Sequence, residues 1–67
     1  MPKLKTKIYQ LRKEHQMRQE ELAELVGVRR ETIGNLENGK YNPSLKLAMD
    51  IAKIFNLPVE EIFVFEE

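Results

Sequence analysis

A chain of 67 residues has room for one domain around one small core, and at that size stability rests on close helix packing or self-association. With no cysteine, neither a disulfide framework nor a thiolate metal site is open to it; no apolar run approaches a membrane span or a signal-peptide core, so the expected compartment is the cytoplasm. The formal net charge of zero hides an asymmetry: residues 1–41 hold nine Lys/Arg against six Glu, whereas residues 42–67 hold two Lys against five Asp/Glu, and the positive half is compatible with a nucleic-acid partner.

In chain order, residues 2–5 are basic and apolar only at Leu4, which reads as a frayed end or an edge strand. Thr6 is the candidate cap of a first helix ending near residue 15. Ile8 and Leu11 supply its buried stripe, Leu4 or Tyr9 its margin, and Lys7, Lys13 and Glu14 face water. His15, the only histidine, suits the negative end of that helix better than it suits a ligand or catalytic role. A second helix follows over residues 17–26, with Leu22, Ala23 and Val26 at helical spacing and Met17 packing ahead of it. Gly27 marks a sharp bend that favours positive φ. The third helix, residues 30–38, places Thr32, Ile33 and Leu36 in its pattern and stops at Asn38-Gly39. Residues 19–38 thus have the spacing of a helix-turn-helix unit, and the small Ala23 suits a close crossing of its two helices. Asn42 as cap and Pro43 at the first helical position open a fourth helix reaching Phe55. Leu45, Ala48, Ile51, Ala52 and Phe55 are its expected stripe, widened by Leu47 and Ile54. Asn56-Leu57-Pro58 breaks it, and residues 59–63 make a last short helix. In the final apolar run Ile62, Phe63, Val64 and Phe65, either Ile62 and Phe63 merely close the core and the tail is loose, or residues 63–66 form a strand. We take the strand, paired with residues 2–5 so that Lys3 and Lys5 lie opposite Glu66 and Glu67.

The segments Gln19-Glu20-Glu21-Leu22-Ala23, Gly27-Val28, Glu31-Thr32-Ile33 and Leu36-Glu37-Asn38-Gly39-Lys40 occur in order. Leu11-Arg12 precedes them; Tyr41-Asn42-Pro43-Ser44-Leu45 and residues 57–63 follow. Together they resemble the phage repressor and Cro family, the XRE-type transcriptional regulators, over nearly the whole chain. The resemblance implies an all-α, five-helix lambda-repressor-like DNA-binding domain. The smallest stand-alone members add a two-stranded antiparallel sheet formed by the two termini, and they form dimers; here Ile62, Phe63, Val64 and Phe65 are the interface candidates. It further implies a structural ion pair between Arg12 and Glu37, and a phosphate contact for Gln19 at a helix N-terminus. Arg30, Glu31 and Asn35 fall on the base-contacting positions, where Arg suits guanine, Asn adenine and Glu the cytosine amino group. Arg29, Thr32, Asn38, Lys40, Tyr41 and Asn42 fall on or beside the DNA backbone, fixing register without reading sequence. Three residues depart from the pattern. Arg18 and Arg29 stand where the family has Ser or Thr caps, and Gly34 sits inside the reading helix at a cost of about 1 kcal/mol relative to Ala. Gly34 is either a concession to close DNA approach or a tolerated substitution.

The expected function is sequence-specific binding of double-stranded DNA as a homodimer on a roughly palindromic operator, with residues 30–38 in the major groove and transcriptional repression as the output. The alternative is a protein-interaction module, such as an antitoxin or coactivator, that keeps this fold. One Ser, one Asp, one His and no Cys leave no nucleophile, base and orienting group to assemble, so an enzyme is not expected. Neither a metal, a cofactor nor a small-molecule ligand is implied.

Overall fold

Alternating inward and outward side chains make a strand of the first described residues. The computed structural model describes residues 3–66. β1 (Lys3–Thr6) turns Leu4 inward and leaves Lys3 and Lys5 exposed. It pairs antiparallel with β2 (Phe63–Glu66), matching Lys3 with Glu66, Leu4 with Phe65, Lys5 with Val64 and Thr6 with Phe63. The terminal sheet is therefore present, shifted by one residue in its first strand. Lys5 faces Val64, because advancing along one antiparallel strand means retreating along the other. Its expected partner Glu67 lies outside the described residues, as does Pro2. Thr6 ends the strand instead of capping a helix. Lys7 holds the cap position of α1 (Ile8–Glu14) without a side-chain cap, and Thr6 Oγ1 accepts only a long bond of 3.5 Å from Ile8 N. The junction is held from outside: Lys7 N donates to Ile62 O at 3.0 Å.

α2 (Gln19–Val26) begins two residues beyond the expected start, with Met17 left in the connection but packed on the core. Its cap residue, Arg18, has no acceptor to offer; Glu21 instead reaches back and accepts Arg18 N at 3.0 Å. Gly27, at φ 75°, closes the helix as Val28 N donates to Ala23 O at 3.0 Å. α3 (Arg30–Glu37) closes in the same way through Gly39, with Lys40 N donating to Asn35 O at 2.9 Å. α4 (Leu45–Phe55) is capped by Ser44, whose Oγ accepts Leu47 N at 3.1 Å. Asn42 and Pro43, the expected helix start, belong to the preceding loop, since Ser44 is the extended residue whose short hydroxyl reaches the first turn. The buried stripe of α4 also differs from expectation. Leu45 is 74% exposed and Leu47 is buried, because Leu45 lies about a quarter turn from the centre of the face formed by Leu47, Ala48, Ile51, Ala52 and Phe55. α5 (Val59–Ile62) is a single turn, and Phe63 opens β2.

Each of the five helices among the described residues sends a fully buried side chain to one core: Ile8, Leu22, Ile33 with Leu36, Ile51 and Ile62. Ala23 is buried with them on α2, the helix that packs against α3. Leu11 is half-buried against this core, while Tyr9 is exposed. His15 stays exposed at the end of α1, its ring stacked on Phe55 with centroids 5.2 Å apart. Among the described residues no helix is long and apolar enough to cross a membrane. The architecture thus anchors α3 by its apolar face and leaves the opposite face free.

Candidate nucleic-acid interface

With Ile33 and Leu36 committed to the core, helical geometry turns Arg30, Glu31 and Asn35 outward and leaves all three exposed. Gly34 lies among them. A methyl group there would meet Gln19 Nε2 at 3.7 Å, an ordinary contact, so packing within the protein does not require the glycine. Arg29, Lys40, Tyr41 and Asn42 lie at the two ends of α3 with Asn38, and Thr32 is half-buried. This gives one continuous polar strip running from the start of the helix into the following loop, rich in donors and carrying Arg29, Arg30 and Lys40.

Behind the strip lies a chain of hydrogen bonds. Arg12, on α1, is 6% exposed and grips Glu37 at the end of α3 with two nitrogens, Nε to Oε2 and Nη2 to Oε1, the latter at 3.2 Å. Its remaining terminal nitrogen donates to Met17 O at 2.9 Å. Such a buried pair satisfies itself only with this full complement of partners. Glu37 Oε1 also accepts Gln19 Nε2 at 3.0 Å, which turns the amide oxygen of Gln19 toward α3, where it accepts Arg30 Nη1 at 3.3 Å. Gln19, expected at a phosphate, is therefore tied on one side to the buried ion pair and on the other to Arg30, which is expected at a base. The sequence carries no signal for this bridge: it depends on how α2 crosses α3 and on three long side-chain rotamers.

A family model described as Helix-turn-helix matches residues 8–62. An uncharacterized HTH-type transcriptional regulator of Archaeoglobus fulgidus is 59% identical over 64 residues, covering 96% of this chain and 90% of that protein. The crystal structure of the transcriptional regulator VanUg superposes with a TM-score of 0.80 at 26% identity, over 97% of this chain and 87% of that one. The restriction-modification controller protein C.AhdI of Aeromonas hydrophila gives a TM-score of 0.74 at 31% identity, over 82% and 83% of the two chains. The chain belongs to the XRE-type helix-turn-helix family of transcriptional regulators. It is a family of DNA-binding regulators, not of enzymes.

Where α2 begins, between the end of α1 and the start of α3, the surface opens into a concavity of about 450 Å³. Lys13, Arg18, Gln19, Glu20 and Arg30 are among the residues that line it. Sequence reasoning misses Lys13 and Arg18 as part of this surface. Lys13 reads as a solvated charge and Arg18 as a missing cap, and the excess of Lys and Arg in residues 1–41 is the one signal that points to them. Lys13 Nζ and Arg12 Cζ both lie over the Tyr9 ring, 5.4 and 5.5 Å from its centroid, which fixes their stems beside the opening. Ile62 is fully buried within the chain and Phe63 packs on its core, so among the four expected interface residues only Val64 and Phe65 present substantial surface.

Proposed function

We propose that this regulator binds double-stranded DNA as a homodimer, inserting α3 into the major groove of each half of a roughly palindromic operator. The carrying observation is the outward face of α3, where Arg30, Glu31 and Asn35 point away from a helix face locked in the core. Arg30 would pair with guanine, Asn35 with adenine, and Glu31 with the cytosine amino group. Arg29, Thr32, Asn38, Lys40, Tyr41 and Asn42 would hold the flanking phosphates and sugars, with Gln19 reaching the phosphate at the start of α2. Two-fold pairing through the exposed Val64 and Phe65 supplies the symmetry, with reading helices about 34 Å apart. Occupancy of a promoter by such a dimer blocks access to it, which makes repression the proposed output.

The test is selection from a pool of random duplexes at two salt concentrations, using protein whose helical fold has been checked by circular dichroism. Enrichment of a two-fold symmetric site, with affinity falling steeply as salt rises, is the expected result. Folded protein that enriches no site at either concentration would overturn it in favour of a protein partner.

A further inference from the structure

β1 is pressed against the end of the reading helix. A Cβ at Gly39 would lie 2.5 Å from Leu4 O, so glycine is what allows the strand to pass there. The strand and the end of α3 enclose an open concavity of about 330 Å³, walled by Lys3, Lys5 and Thr6 on one side and by Glu37, Asn38 and Gly39 on the other. Among the described residues neither lysine is occupied by an acid, the ion pairs there being Arg12 with Glu37 and Lys46 with Asp50. Lys5 faces Val64 across the sheet, and Lys3, though opposite Glu66, makes no ion pair with it. Glu37, the carboxylate in the wall, already accepts from Arg12 and Gln19.

Two exposed lysines therefore share this concavity with Asn38, which leads into Gly39 and Lys40 of the proposed backbone-contacting loop. Side chains two apart on a strand repeat every ~6.7 Å on one face, comparable to the separation of successive phosphates along a DNA strand. We infer that Lys3 and Lys5 bind neighbouring backbone phosphates of duplex DNA, extending the proposed DNA-facing strip of the loop after α3 onto the terminal sheet. This rests on the DNA-binding reading above. It is compatible with the proposed dimer, because pairing through the open edge of β2 leaves β1 on the outside, with both lysines accessible.

Binding to phosphates is indifferent to sequence, so a random-sequence duplex suffices as probe. Affinity is measured against salt for the wild type, for the double variant Lys3→Gln/Lys5→Gln, and for Lys53→Gln, which removes one cation at the far end of α4. The double variant is expected to bind more weakly, with the slope of log affinity against log salt shallower by about 0.9 for each phosphate left without its lysine, while Lys53→Gln keeps the wild-type slope. A steep wild-type slope left unchanged in the double variant overturns this inference alone. So does an equal weakening per charge in Lys53→Gln, which would make the effect one of net charge. Loss of self-association by the double variant in sedimentation also overturns it, by assigning the lysines to the interface between copies. Wild-type protein that binds no duplex at any salt overturns the DNA reading itself, and this inference with it.

Discussion

The proposed interface divides the side chains of α3 and of the loop after it between reading and holding, and substitutions should separate the two. Arg30 presents a fork that matches two guanine acceptors, so Arg30→Ala should cost about 1–3 kcal/mol on the selected site and relax preference at one base pair. Lys40 has no planar match to offer, so Lys40→Ala should weaken selected and scrambled duplexes alike; fluorescence anisotropy on both sequences distinguishes these outcomes. Behind them, Arg12 and Glu37 have side chains only 7% exposed, and each satisfies the other. Arg12→Met alone should destabilise the fold by about 3–5 kcal/mol by stranding the Glu37 carboxylate, while Arg12→Met/Glu37→Met should recover most of that loss in urea denaturation. A double variant no more stable than the single would show that the carboxylate was not the cost. This pair can be named from sequence, since its two positions match a family pattern and sit between core residues. The Gln19 bridge cannot, because nothing in residue spacing states which of several polar neighbours a long amide will choose.

At the level of elements, the helix ends explain both what is legible in the sequence and what is not. Gly27 and Asn38-Gly39 read as stops because only a few residues accept positive φ, and the chain supplies them where the apolar pattern ends. The start of α4 does not: Asn42, Pro43 and Ser44 are three adjacent helix-opening residues, and only three-dimensional reach decides for Ser44. Thr6 misleads for a related reason, since its backbone is engaged by β2, a strand nearly a chain length away. The two left-handed glycines make a controlled comparison. Gly27, at φ 75°, has nothing within 4 Å of a Cβ position, so Gly27→Ala should cost only backbone strain, about 1–2 kcal/mol. Gly39, at φ 70°, would bear that strain and also drive a methyl into Leu4 O. Gly39→Ala should therefore be the more destabilising of the two in thermal denaturation, and it should detach β1 from α3. Equal losses would mean that β1 yields freely, so that the close approach of strand and helix contributes nothing to stability.

For the whole molecule, a 67-residue chain has room for only a small core, twelve buried apolar residues among those described, and the exposed apolar side chains of the terminal strand are what self-association would relieve. Val64 is 42% exposed and Phe65 57% exposed, on the strand whose outer edge has no neighbour among the described residues. The apolar run is visible in sequence, but which of its members face out is not: Ile62 belongs to the core, and that follows only from where α5 hands over to β2. Val64→Asp tests the proposed dimer while sparing the protomer. Within one chain the new carboxylate faces Lys5 across the sheet, a favourable opposite-charge pair, so the fold should persist. Across a two-fold axis through β2 it would meet its own copy, and like charges at that distance repel. The variant should sediment as a monomer with unchanged circular dichroism. Its affinity for a palindromic duplex should fall by roughly 10²-fold or more, since the second half-site no longer benefits from tethering, while affinity for a single half-site falls by no more than the one phosphate contact of Lys5, for which the new carboxylate competes. A Val64→Asp protein that remains dimeric would place the two-fold interface elsewhere on the molecule.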